Sequence, residues 1–136
     1  MRILSGILIA TCVVMAMPAL ARIDEVVLNS PSLENAILET DVNRNIKVYL
    51  PPSYDAEPDK RYPVVYLLHG CPLQNSDWTG GLFDIVPGLD TYMQSHPDKE
   101  MIIVMPDMVT AYFCTWLSES PVLGNWQGFI TEALVQ

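Results

Sequence analysis

Apolar and polar side chains alternate through residues 43–52: Ile46, Val48 and Leu50 are separated by Lys47 and Tyr49. A period of two predicts a half-buried antiparallel strand, and Pro51-Pro52 ends it. Residues 25–33, EVVLNSPSL, predict a second strand of the same kind. Two later runs differ. PVVYLLH (63–69) and MIIVMPD (101–107) are continuously apolar and bounded by breakers, as parallel strands covered on both faces are. Between them Leu82, Phe83, Val86, Leu89 and Met93 fall at helical spacing, interrupted at Pro87-Gly88 and closed by His96-Pro97. A last helix is predicted over 125–136, capped by Asn125, with Phe129, Ile130, Ala133 and Leu134 on one face. The order is two antiparallel-type strands, then β-α-β-α. It predicts an open α/β sheet with a right-handed crossover and helices on its faces. Function in such sheets gathers beyond the carboxyl ends of the strands. Here those ends are His69-Gly70-Cys71 and Pro106-Asp107-Met108.

The first residues stand apart from this pattern. Arg2, the apolar run from Ile3 to Met17 and Ala19-Leu20-Ala21 have the layout of a cleavable secretory signal over residues 1–21. The run is too short to predict a stable membrane anchor. The mature chain then starts at Arg22 and has about 115 residues, one small domain that buries roughly two-thirds of its unfolded surface. No repeat, low-complexity tract or linker divides it. The whole chain carries a formal charge of −9, which argues against nucleic acid and anionic membrane surfaces as partners. Mature cysteines are Cys71 and Cys114. Export permits a disulfide, yet spacing alone leaves pairing and two buried free thiols both open. No His, Cys, Asp or Glu set has metal-ligand spacing, and neither a metal nor a cofactor is expected.

KVYLPPSYD, RYPVVYLLHG, DWTGG, MIIVMPD and SPVLGNWQGFITEALVQ occur in that order. Together they resemble the esterase family of the α/β-hydrolase superfamily. Its members include feruloyl and acetylxylan esterases, S-formylglutathione hydrolases, enterochelin esterases and mycolyltransferases. The resemblance runs from about Val26 to Gln136. It implies the N-terminal portion of an α/β-hydrolase domain over residues 22–136 and acyl transfer by a serine nucleophile. In that chemistry a backbone N–H after the His-Gly strand end stabilises the oxyanion. Cys71 N–H is the implied donor, because Pro72 has none. His69 is expected to hold the loop, and Gly70 to allow a backbone path that a side chain would obstruct. Trp78, Tyr112 and Trp116 are candidate cleft residues, with Phe113 and Trp126 in the same aromatic region. Packing as a hydrophobic cap over the sheet is the alternative for these aromatics.

The same comparison exposes a gap. The superfamily nucleophile occupies a G-x-S-x-G elbow, followed by an acid and a histidine. The serines at 30, 32, 53, 76, 95, 118 and 120 lie in no such elbow. His96 is expected to be a solvated helix cap and Asp107 a structural or substrate-side carboxylate. Residues 1–136 are therefore expected to be an inactive N-terminal fragment of a secreted serine carboxylic-ester hydrolase. Its substrate would be a small-molecule or carbohydrate-linked ester, and no nucleic acid or membrane partner is expected. The alternative is an exported, non-catalytic pseudo-enzyme or ligand-binding remnant. Without a further strand, 63–68 becomes an apolar sheet edge prone to aggregation.

Overall fold

The computed structural model describes residues 20–112 and 115–135. Four strands build the main sheet: β1 (Arg22–Asn29), β2 (Asn43–Leu50), β3 (Val64–Tyr66) and β4 (Ile102–Pro106). Their order is β1-β2-β4-β3. β1 pairs antiparallel with β2 across Arg22–Leu50 to Asn29–Asn43, and β2 pairs antiparallel with β4. β3 runs parallel to β4, with Val64 opposite Ile102 and Tyr66 opposite Val104. Helix α1 (Val86–Ser95) links β3 to β4. The expected order of antiparallel strands followed by a β-α-β unit is thus present, and the fold is mixed α/β.

Two apolar layers flank the sheet. On one side Leu33, Ile46, Met108, Trp126 and Phe129 are buried together. The C-terminal elements close this layer. Short strands β5 (Glu119–Ser120) and β6 (Gly124–Asn125) precede α2 (Trp126–Gly128) and a π-helical turn, Phe129–Ala133. Asn125 Oδ1 accepts the Gly128 N–H at 2.8 Å, as the capping expectation required. The Trp126 indole N–H donates to Leu123 O, and its ring meets Phe129 edge-on. On the other side Tyr49, Met93, Ile103 and Met105 form the second layer under α1. Tyr49 is fully buried and its hydroxyl donates to Asp90 on α1 at 2.8 Å. β2 is therefore central and covered on both faces, not half-buried as its alternation suggests.

Two further expectations change. Pro87 stands in the first turn of α1, where a missing N–H costs nothing. It starts the helix instead of interrupting it, and Leu82 and Phe83 precede the helix and are exposed. The apolar run at 63–69 yields only three strand residues, and Val64 and Val65 remain 45% and 41% exposed. β3 is the edge of the sheet, and the coverage its composition calls for is not supplied by the described residues. The signal-type segment 1–19, Phe113, Cys114 and Gln136 lie outside the described residues. Among the described residues, no helix is long and apolar enough to cross a membrane.

Candidate active site

The carboxyl ends of β3 and β4 lie side by side, and one histidine ties them together. The Met108 N–H donates to His69 Nε2 at 2.9 Å. That lone pair fixes the proton on Nδ1, which stands 3.1 Å from Gly70 O and donates to it. Gly70 O also accepts the Leu73 N–H at 2.8 Å. Two donors thus hold one carbonyl. A trans peptide is planar, with C=O and N–H on opposite sides. Holding Gly70 O therefore sets the direction of the Cys71 N–H, away from the turn that Leu73 closes. His69 is itself buried.

Asp107 supports this arrangement from β4. Its Oδ2 accepts from Arg44 Nη2 at 3.0 Å, and its Oδ1 accepts the Val109 N–H at 3.1 Å. Arg44 lies in the apolar stripe of β2, two residues before Ile46, and is buried. It also donates to Asp107 O at 3.2 Å and Val109 O at 2.8 Å, and its guanidinium covers the Trp126 ring at 5.2 Å. Burial pushes the Asp107 carboxyl up, but the Val109 N–H and the Arg44 guanidinium outweigh it and hold it below the usual value. At 3.8 Å, Asp107 Oδ1 is outside hydrogen-bond reach of His69 Nε2, which Met108 already occupies. Asp107 is therefore an anchor for the loop after β4. Asn75 reinforces the floor, donating to Asn45 Oδ1 at 2.9 Å and to Asn45 O at 3.2 Å.

A cavity of about 250 Å³ opens beside these strand ends, lined by His69, Gly70, Cys71, Met108, Thr115, Trp116 and Leu117. Three cleft candidates are distributed unequally around it. Trp116 lines it and is 87% exposed. Tyr112 is exposed but is not among the lining residues. Trp78 packs against the second core layer and stacks on Phe83 at 5.4 Å. Trp116 and Leu117 both have left-handed backbone, φ +53° and +52°, a conformation that costs free energy in non-glycine residues.

Gly70 and Cys71 need correction. A Cβ added at Gly70 would meet no atom within 4 Å, and its φ is not left-handed. The described chain therefore does not obstruct a side chain there. Cys71 is exposed and disulfide-bonded, so it is not a buried free thiol. His96 closes α1, with Nδ1 2.9 Å from Tyr92 O. Sequence reasoning passed over Arg44, although a cation inside an apolar strand stripe signals a paired buried charge. Thr115 and Leu117 carried no signal.

Known structures share this architecture. A ferulic acid esterase superposes with a TM-score of 0.70 at 23% identity, covering 88% of this chain and 42% of its own. A ferulic acid esterase from Anaeromyces mucronatus, in complex with ferulic acid, gives 0.58 at 23% identity, with 85% and 41% covered. A mutant feruloyl esterase module from Clostridium thermocellum, complexed with sinapinate, gives 0.51 at 23% identity, with 65% and 27% covered. This chain thus spans less than half the length of each, and at such identity the likeness establishes the fold. A family model for Esterase matches residues 38–136, which is most of the sequence. The chain belongs to the Esterase family, of which it represents the N-terminal portion.

Proposed function

We propose that residues 22–136 are the oxyanion-loop portion of a secreted serine carboxylic-ester hydrolase, exported by the segment at 1–21. The observation that carries this reading is the doubly held Gly70 carbonyl, which turns the Cys71 N–H to the other face of its peptide. An acyl-transfer enzyme needs such a fixed donor where negative charge develops on the carbonyl oxygen. Loss of one donor typically slows turnover by about 100- to 1,000-fold. The nucleophile, acid and base histidine come from chain beyond this segment. Serine attacks the ester carbonyl, the oxyanion is held by Cys71 N–H, and the alcohol leaves as the acyl-enzyme forms. Water then releases the acid.

The substrate is an ester with an aromatic acyl group or a carbohydrate alcohol. Ferulic acid and sinapinate in the related structures support an aromatic acyl group, as does the exposed Trp116 indole beside a pocket lined by Met108 and Leu117. Acyl transfer by a serine uses side chains and backbone donors and calls for no metal or cofactor.

The test compares the 136-residue chain with the uninterrupted reading frame that contains it, using a nitrophenyl ester and a feruloyl ester. The longer protein is expected to turn over both substrates, and this segment neither. Turnover by the segment alone, abolished by changing one of its serines, would overturn the assignment of the nucleophile. A segment that binds the ester without turnover, and whose frame carries no serine elbow beyond it, would instead make it a binding remnant.

A further inference from the structure

We infer that the Thr115 hydroxyl selects the acyl group: it donates to an oxygen carried on the aromatic ring of the substrate, and so separates oxygenated rings from plain ones. This rests on the ester-hydrolase reading above. The cavity beside the donor peptide measures about 250 Å³. A cavity of about 150 Å³ is enough for benzene, so one substituted ring fits here and a sugar chain does not. With the ester carbonyl at the Cys71 N–H, the acyl ring fills the cavity and the alcohol stays outside.

The walls offer that ring few polar partners. Met108 and Leu117 are apolar. His69 also lines the cavity, but both of its nitrogens are engaged, one by the Met108 N–H and one by Gly70 O. The Cys71 side chain is disulfide-bonded. Trp116 is exposed, so water can meet its indole N–H. Thr115 differs from all of these. It is buried, and its Oγ1 accepts the Leu117 N–H at 3.2 Å. A hydroxyl is a donor as well as an acceptor. The O–H proton of Thr115 has no acceptor among the described residues, and a buried donor left unpaired costs free energy. An acceptor that arrives with the substrate removes that cost. Thr115 is also held in place. Its bond to the Leu117 N–H closes a local turn. Trp116 and Leu117 within this turn both have left-handed backbone, φ +53° and +52°. Such strain persists only where the surrounding structure enforces it, and ligand clamps are among the places where it gathers. A hydroxyl fixed in this way discriminates against a ring that cannot accept from it.

The experiment uses the full-length protein that contains this segment, with the feruloyl and cinnamoyl esters of one alcohol. The two rings differ only in a hydroxyl and a methoxyl group. The parent is expected to favour the feruloyl ester by about fivefold in kcat/KM, the usual effect of one neutral hydrogen bond. Thr115→Val keeps the shape of the side chain and removes the O–H. It should raise KM for the feruloyl ester about fivefold at unchanged kcat, because the ring is bound alike in ground and transition states, and leave the cinnamoyl ester within about twofold. The Leu117 N–H also loses its acceptor in T115V, so the cinnamoyl rate is the control for the turn. Thr115→Ser keeps the hydroxyl and should keep the preference. A parent that does not distinguish the two esters would refute the inference. So would a T115V protein that retains the preference, or a T115S protein that lacks it. Equal loss of both esters in T115V would make Thr115 a brace of its turn and sink the proposal. A fall in kcat alone, on both esters, would place the hydroxyl on the oxyanion instead of the ring, and sinks it equally. A parent that turns over neither ester refutes the hydrolase reading itself, and selection by Thr115 with it.

Discussion

At the scale of single residues, His69 and Arg44 decide how firmly the strand ends are held. His69 makes two different bonds with its two nitrogens, and substitutions can separate them. In His69→Gln the amide oxygen can still accept the Met108 N–H, but the amide NH2 lies one atom further along the side chain than Nδ1 and is misplaced for Gly70 O. We expect kcat to fall about tenfold in the full-length enzyme, with KM unchanged, because only transition-state stabilisation is disturbed. A matching rise in KM would assign His69 to substrate binding instead. Arg44→Met leaves Asp107 without its cation while its carboxylate is only 27% exposed. Removing one partner of a buried pair costs about 3–5 kcal/mol, and the partial exposure of Asp107 places this case near 3 kcal/mol. A urea midpoint indistinguishable from the parent's would show that the pair contributes nothing net. Gly70→Ala, by contrast, should change stability by less than about 0.5 kcal/mol, since the new methyl meets open space.

At the scale of elements, what was legible in the sequence followed periodicity. The order of strands and helices, and the Asn125 cap, could be read because period-two, continuous and helical patterns each have one physical cause. What periodicity could not reveal is what packs on the second face. Tyr49 read as the exposed side of β2 because its coverage comes from α1, forty residues away. Pro87 read as a break because a proline in a first turn and one in a helix middle look alike without knowing where the helix begins. That the two strand ends lie side by side was legible, but the Arg44–Asp107 anchor was not, because it depends on the register between β2 and β4. The far end of the sheet carries a second polar cluster. Glu100 is buried and accepts from Lys60 Nζ at 2.7 Å, from Ser53 N–H at 3.2 Å and from the Ser53 hydroxyl. Burial raises its carboxyl, yet Lys60 and Ser53 together leave it below the ordinary value near 4.5. A folded-state value below the unfolded one adds stability above the unfolded value and loses it as pH falls through the folded one. Unfolding free energy should therefore drop as pH is lowered from about 4.5, and Glu100→Gln should flatten that part of the profile. An unaltered acid limb in E100Q would assign acid sensitivity to other carboxylates, Asp107 first.

At the scale of the whole molecule, the open edge of β3 governs how the isolated segment behaves. Pro63 O accepts the Ile102 N–H and Leu67 N–H donates to Val104 O, so backbone groups at 63, 65 and 67 face β4. By the alternation of a strand, those of Val64, Tyr66 and Leu68 face outward. Charged side chains and prolines commonly blunt such an edge. Within β3 the exposed residues are Val64 and Val65, preceded by an exposed Pro63 and with no charge before Leu68. More than half the length of the related esterases lies outside the aligned region. On the proposed reading, chain following this segment covers the edge, and that would account for a composition suited to a buried strand. Expressed alone, residues 22–136 should self-associate through this edge, with sedimentation velocity showing species larger than a monomer that grow with concentration. Val64→Lys places a charge on the edge and should shift the distribution towards monomer. The same substitution in the full-length protein should be destabilising, because there the position is expected to be covered. A segment that sediments as a single monomer, with or without the lysine, would mean that the edge is already protected and that its valines do not await another strand.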